Sequence, residues 1–321
     1  MGRDDKSIDR SRLRTVPARR RPSKVKVAEE AKPHVPGGDF ASFLASLPDV
    51  LAGAELRTAI VAWAGAWRRR RTVLFGFGAH LIKVGLSPLV VDLIEKGAIT
   101  ALATHGASCV HDLELALMGR TSEDVARSLD DGSFGMARET ADLLNAAIAR
   151  GAAAGLGMGE AVGREILGGA YPHAARSIFA AAVRAGVPIT VHSAIGTDIH
   201  HMHASADGAA LGATSYRDFE ALAAVVAGLE GGVYLNVGSA VILPEVFLKA
   251  LAIARNLGHR VDRFTTIDCD FARRYRTDVN VVDRPTRRGG RGIALIGHHE
   301  ILVPLLAAAI AQRRARGPTA E

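Results

Sequence analysis

The sequence predicts an α/β domain built on a mostly parallel sheet flanked by helices on both faces. Six short apolar runs have the length and composition of buried strands. Most of them are followed by a polar or glycine-containing turn and then by a segment with apolar residues at helical spacing. Strands and helices that alternate in this way form parallel sheets with helices packed on either face.

The predicted strands are residues 73–75, 99–103, 188–191, 232–237, 264–267 and 293–296. The predicted helices are residues 40–67, 89–96, 110–117, 122–153, 160–167, 174–185, 216–229, 245–256 and 299–313. Pro48 is expected to split the first helix, because proline removes a backbone donor and clashes with the preceding turn. Residues 130–135 interrupt the fourth helix, and residues 273–291 are predicted to be a long polar loop rich in arginine.

The positive charge of the chain is concentrated at the N-terminus. Residues 1–34 carry eleven of the 40 Lys and Arg but only five of the 33 Asp and Glu, so six of the seven net positive charges lie there. Low hydrophobicity and scattered prolines predict a disordered basic tail over residues 1–38. Residues 39–316 are expected to form a single α/β domain. A solvated tail is favoured over one that binds nucleic acid or an acidic partner, because no aromatic residues interleave the charges.

Compartment and membrane signals favour a cytoplasmic protein. The two cysteines, Cys109 and Cys269, provide no disulfide framework and are typical of a reducing compartment. No apolar run reaches about 18 residues without a charge, so no membrane span is expected. The N-terminus is charged from Arg3 onward and lacks the apolar core of a secretory signal.

Residues 188–207 are the first candidate for a site. A predicted strand ends there in a polar turn that holds four of the twelve histidines, and open α/β sheets bind ligands at the carboxyl ends of their strands. Asp198 could bind a cationic amine or a ribose hydroxyl, or it could cap the next element. His192 and His200 could serve in acid–base catalysis, ligate a metal together with nearby histidines, or be structural.

Residues 104–108 are the second candidate. A strand, a loop of small residues and a helix N-terminus together form an arrangement typical of anion-binding sites. Gly76 and Gly78 are a weaker dinucleotide signal, because the spacing to Gly85 does not match G-x-G-x-x-G. Lys83, one of only three lysines beyond the tail, follows these glycines and could bind phosphate.

Five dispersed segments resemble deoxyhypusine synthase and together extend over about residues 40–313. They are GAHLIKVGLS at 78–87, DLIEKGAITALATHGAS at 92–108, VHDLELA at 110–116, LNVGSAVILPE at 235–245 and HHEILVPLL at 298–306. The resemblance implies a Rossmann-like, NAD-binding fold and a homotetramer with sites between subunits. It also implies a reaction that oxidises spermidine with NAD and transfers an aminobutyl group to a protein lysine.

The chain departs from this family at the positions that carry its chemistry. The family holds its intermediate as an imine on a lysine, but the matching residues 279–286 read VNVVDRPT and contain no lysine. Arg284 cannot replace that amine, because a guanidinium stays protonated. Cofactor-contacting serine, asparagine, glycine and acidic positions of the family are altered as well. The altered positions are Ala79, His80, Lys83, Ala107, Ser108, His111, His298 and His299.

These observations define the candidate site residues. The predicted catalytic residues are His192, Asp198, His200 and His298. The predicted cofactor-binding residues are Gly78, His80, Lys83, Thr104, His105, Gly106, Ala107, His111, Asp112, Gly238, Ser239, Asp268 and His299. No residue is assigned as a metal ligand.

The predicted function is that of an NAD-linked, deoxyhypusine-synthase-like enzyme acting on a small amine-containing substrate. A transferase or oxidoreductase is expected, but not deoxyhypusine synthase itself, because the imine-forming lysine is missing. Two alternatives stay open: a histidine-based, metal-dependent enzyme on the same fold, and a non-catalytic binding protein.

Overall fold

The computed structural model describes residues 8–315, and the chain divides between Gly53 and Ala54 into two compact units. The first unit contains three 3₁₀ turns, Arg10–Arg12, Ala18–Arg20 and Val27–Glu29, and helix α1, Phe40–Ser46. The Asp39 side chain caps α1 by accepting the Ser42 amide at 2.7 Å. Residues 1–7 of the predicted tail lie outside the described residues. Disorder of the tail and a domain boundary at residue 38 stay predictions.

The second unit is built on a six-stranded, entirely parallel sheet, which confirms the predicted fold class. The strands are β1 Val73–Phe77, β2 Ala101–Thr104, β3 Ile189–Val191, β4 Val233–Val237, β5 Thr265–Asp270 and β6 Arg291–Ile296. Their order across the sheet is β3-β2-β1-β4-β5-β6. The chain therefore reverses direction across the sheet between β1 and β4, and doubly wound folds bind ligands beside such a switch point.

Twelve helices follow α1 along the described chain. They are α2 Leu51–Arg68, α3 His80–Lys83, α4 Ser87–Glu95, α5 Gly106–Met118, α6 Val125–Asp130, α7 Arg138–Ala153, α8 Met158–Gly168, α9 Ile178–Ala185, α10 Gly208–Ala227, α11 Ile242–Asn256, α12 Tyr275–Thr277 and α13 His299–Ala315. None of the helices within residues 8–315 is long and apolar enough to cross a bilayer.

Adjacent residues of β1 pack into cores on opposite faces of the sheet, as strand geometry requires. On one face, the ring of Phe75 lies 6.2 Å from that of Trp63 on α2, and the indole donates to the Ala98 carbonyl at 2.9 Å. On the other face, Leu74 joins an apolar cluster in which Tyr234 of β4 stacks on Phe247 of α11 at 4.0 Å. Both faces of the sheet are therefore covered by apolar side chains, and polar residues that could form a site lie at the ends of the strands.

The prediction of a long polar loop over residues 273–291 is wrong. Helix α12 leads there into a π-helix, Asp278–Asp283, and then a 3₁₀ turn, Arg284–Thr286. Val281 is fully buried on this segment, and the Thr286 hydroxyl donates to the Val282 carbonyl at 2.7 Å. The arginines pair with acids both within this segment, as Arg287 does with Asp283, and far along the chain, as Arg276 does with Glu245. A charged sequence therefore folds as helix.

Candidate active site

Polar residues follow most strands at the carboxyl edge of the sheet, where the sequence places them. They fall into two groups. One surrounds a cavity beside β1, β2 and β3, and the other is an aromatic cluster beside β1, β5 and β6.

The cavity has a volume of about 170 Å³ and brings together residues from distant parts of the chain. Four of the predicted site residues line it: Lys83, Ala107, His111 and Asp198. Two acids that the sequence did not single out, Glu114 and Glu123, line it as well. Glu114 lies three residues after His111 on α5, so helical spacing alone could have linked it to that histidine. Glu123 follows α5 and carries no comparable signal.

Asp198 lies at the N-terminus of α5. Its Oδ2 approaches Gly106 so closely that a Cβ at that position would lie 2.0 Å from it. The residue is 5% exposed, and Oδ2 has no hydrogen-bond partner. Burial raises the pKa of the Asp198 carboxyl to about 6, although the Thr197 side chain and the Ala107 amide lower it. A glycine is therefore needed at position 106 to admit a buried carboxylate.

The contact between Asp198 and Gly106 bears on the anion-binding site that the sequence predicts at residues 104–108. Helix α5 has thirteen residues, and its N-cap His105 makes no side-chain capping bond. Such a helix end favours an anion, and the carboxylate of Asp198 provides one from within the chain. The predicted phosphate position is thus already covered by a side chain.

His111 is held by a chain of hydrogen bonds. Its Nδ1 lies 2.6 Å from the Thr121 hydroxyl, which donates to Glu114 Oε2 at 2.5 Å. The single hydroxyl proton is used toward the carboxylate, so Nδ1 must donate to Thr121 and Nε2 is left as an acceptor. Burial lowers the pKa of His111 to about 4, helped by the charges of Lys83 and His105. The imidazole is therefore neutral near pH 7.

Thr121→Val should release His111 from this tautomer, because valine cannot accept from Nδ1. We expect ¹⁵N chemical shifts to show a protonated Nδ1 in the wild type and a mixture of tautomers in the variant. Thr140→Val is the matched control. It removes the other hydroxyl that donates to Glu114, at 3.0 Å, without touching the imidazole. Equal tautomer mixtures in both variants would contradict the assigned relay.

The aromatic cluster lies at the ends of β1, β5 and β6. The ring of His80 is 5.4 Å from that of His299, and Phe271 lies 6.3 Å from each of them. Phe271 also stacks on His298 at 6.4 Å. His299 is buried, its Nε2 lies 3.2 Å from the Cys269 carbonyl, and its Nδ1 has no partner. Gly238 has a φ of +70°, and a Cβ there would lie 2.5 Å from the His299 ring.

Solved structures with this fold include an arginine dihydrolase and a deoxyhypusine synthase candidate. A deoxyhypusine synthase candidate from Entamoeba histolytica aligns over 85% of this chain and 93% of its own, with 10% identity and a TM-score of 0.52. This alignment shows that the chain has a deoxyhypusine-synthase-like fold.

Two further similar structures are larger proteins. ArgZ, an arginine dihydrolase of the ornithine–ammonia cycle in Cyanobacteria, has 13% identity over 83% of this chain, with a TM-score of 0.53. AgrE in complex with ornithine and NAD⁺ has 17% identity over 82% of this chain, with a TM-score of 0.50. The chain spans about a third of the length of each. No family model matches the sequence, and neither does any curated protein.

The cavity does not fit a nicotinamide dinucleotide. Its 170 Å³ falls below the roughly 300 Å³ at which pockets for drug-sized ligands begin. The end of α5 that would face a pyrophosphate is covered by Asp198, and α3, which follows β1, is a single turn. We therefore assign no chemical step to NAD.

Several predicted cofactor-binding residues have structural roles in this fold. Thr104 is fully buried and donates to the Phe77 carbonyl at 2.8 Å. Ser239 accepts the Leu243 amide at 3.2 Å near the start of α11. Asp268 accepts from the Asn236 side chain at 2.7 Å. Asp112 accepts the Ile178 amide at the start of α9. Cofactor contacts by these residues stay predictions.

All three predicted catalytic histidines lie outside the cavity lining, and His298 belongs to the aromatic cluster. His192 borders a separate hollow of about 330 Å³, and burial lowers its pKa to about 4. His200 is fully buried with neither ring nitrogen partnered, and burial lowers its pKa to about 3. His203 bonds to the Gly135 carbonyl at 2.8 Å. Within residues 8–315, no group of three or more His, Cys, Asp or Glu side chains is placed to hold a metal ion.

Proposed function

We propose that this chain is an enzyme that binds a small amine-containing substrate in the cavity between α3, α5 and the loop after β3. The observation that carries the proposal is Asp198, a buried residue of the cavity lining whose Oδ2, next to Gly106, has no hydrogen-bond partner. The α5 N-terminus, the Ala107 amide and the His201 ring at 4.0 Å compensate part of this buried charge, but burial still raises the pKa of Asp198, so its ionised form stays costly. A cationic ligand would offset that cost, so ionised Asp198 selects for an ammonium group.

The other lining residues support the same chemistry. Glu123 adds a second carboxylate, whose Oε1 also accepts the Gly135 amide at 2.9 Å. Nε2 of His111 is an acceptor for an N–H of the bound amine, and it can take up a proton as the amine reacts. General bases in enzymes are commonly oriented by a second group that is itself hydrogen-bonded, as Thr121 orients His111 here.

The finer parts of the function stay predictions. A transferase or oxidoreductase reaction, NAD as cofactor, a homotetramer and a cytoplasmic location follow from the resemblance and the composition. AgrE, which has this fold, forms a complex with NAD⁺ and ornithine. NAD binding by this chain would need a position other than the α5 terminus. The absence of a lysine from residues 279–286 argues against deoxyhypusine synthesis. A metal-dependent histidine enzyme and a non-catalytic binding protein stay the alternatives.

Calorimetric titration of the purified full chain with spermidine, putrescine, ornithine and NAD, each separately at pH 8, tests the proposal. We expect at least one amine to bind and NAD not to compete with it. Glu123→Gln keeps an oxygen for the Gly135 amide but loses the charge, so amine affinity should fall roughly two- to fivefold, as for an exposed ion pair.

The matched control is Glu139→Gln, which removes an exposed carboxylate paired only with Arg138. It should leave amine affinity unchanged. Saturable NAD binding with no amine binding, or equal losses in the two glutamine variants, would overturn the proposed function.

A further inference from the structure

Lys83 brings a positive charge to a cavity that otherwise suits cations. It is the last residue of α3, and no other lysine or arginine lines the cavity among the described residues. Lys83 is an exposed residue, and its ammonium makes no hydrogen bond and no ion pair within residues 8–315, although acids line the same space. Its charge reaches His111, whose pKa it helps to lower.

A lysine next to carboxylates normally pairs with them when geometry permits. Both other lysines beyond the tail do so: Lys96 lies 2.7 Å from Asp92, and Lys249 contacts Glu245. Lys83 is the exception, and its separation from Asp198 and Glu123 leaves both signs of charge available in one cavity. A ligand that is only cationic would be repelled by Lys83, whereas one that carries both charges would be held at both ends.

We propose that the ligand of this cavity is an amino acid with a side-chain amine, whose carboxylate is bound by Lys83 and whose ammonium groups are bound by Asp198 and Glu123. This inference rests on the proposed amine-binding function and adds the acidic group. The small volume of the cavity agrees with a compact ligand of this kind.

Matched ligand pairs that differ only in the carboxylate test the inference. L-lysine with cadaverine and L-ornithine with putrescine are titrated into the full-length wild type and two variants. We expect the wild type to bind each amino acid roughly tenfold more tightly than its diamine, from one charge-assisted contact. Lys83→Met should abolish or reverse this preference, and Lys83→Arg should keep part of it. The control, Lys96→Met, should keep all of it.

The outcomes separate this inference from the function on which it rests. If diamines bind and the amino acids bind no better, or if Lys83→Met changes both members of a pair equally, the carboxylate assignment is overturned while amine binding stands. If Lys83→Met weakens the binding of inorganic phosphate but leaves the preference for each amino acid over its diamine unchanged, Lys83 serves a phosphate and the inference is wrong. If no amine of either kind binds, both proposals fail.

Discussion

Asp198→Asn is expected to make the protein more stable and to weaken its amine binding at the same time. The folded state holds the proton of Asp198 more tightly than the unfolded chain does, since burial raises the pKa from 3.8 to about 6. The penalty on stability is therefore absent below about pH 4, grows as the pH rises, and is complete above about pH 6. At about 1.4 kcal/mol per pKa unit, the amide should gain roughly 2 to 3 kcal/mol at pH 8.

The same substitution removes the charge that we propose binds the amine. A hydrogen bond to a charged group contributes about 1.5 to 3 kcal/mol, so affinity should fall roughly 10- to 100-fold. Denaturant unfolding at pH 4.5 and pH 8, with calorimetry on the same samples, measures both effects. A residue that lowers stability where it serves binding is the usual sign of a functional site.

Glu139→Gln provides the reference for both measurements, because its carboxylate is exposed and is not part of the cavity lining. It should leave the free energy of unfolding and the amine affinity nearly unchanged at either pH. A loss of stability in Asp198→Asn at pH 8 would contradict the prediction, since it would mean that the ionised carboxylate is well compensated in the native state.

The fold was largely predictable because its signals are local. Runs such as residues 232–237 and 293–296 are apolar enough to be strands whatever surrounds them, and the turns after them mark the carboxyl edge. The prediction of a loop over residues 273–291 was wrong for a physical reason. Their arginines pair with acids within the segment and far along the chain, which polarity alone does not reveal.

The sequence predicted the site only as polar residues at the ends of strands and did not show which of them meet in space. Lys83, His111 and Asp198 were each noticed in the sequence, but their meeting in one cavity depends on how α3 and the loop after β3 run. The loop after β3 also brings Asp198 next to Gly106. The position at the start of α5 that the sequence suggests for a phosphate is therefore taken by the carboxylate of Asp198. Thr121, which sets the tautomer of His111, has no pattern around it that marks such a role.

Asp112→Ala is expected to have the opposite effect on stability to Asp198→Asn, although burial raises the pKa of both aspartates to about 6. Oδ1 of Asp112 accepts the Ile178 amide at 3.1 Å, and Oδ2 accepts the Phe179 amide at 3.3 Å and the Ser177 hydroxyl. Alanine would leave these donors buried and unpaired at the start of α9. Each unsatisfied group costs about 1 to 3 kcal/mol, so we expect a loss of roughly 3 to 5 kcal/mol at pH 5.

The pH dependence separates the two roles further. Either variant lacks a proton that the wild type holds up to about pH 6, so both should improve relative to the wild type as the pH rises from 4 to 8. Asp198→Asn should be stabilised at pH 8, whereas Asp112→Ala should still be destabilised there, by roughly 2 to 4 kcal/mol. Because Asp112 does not line the cavity, the folded variant should bind amines like the wild type. If Asp112→Ala instead lost ligand affinity without losing stability, the carboxyl would be a ligand contact rather than the cap of α9.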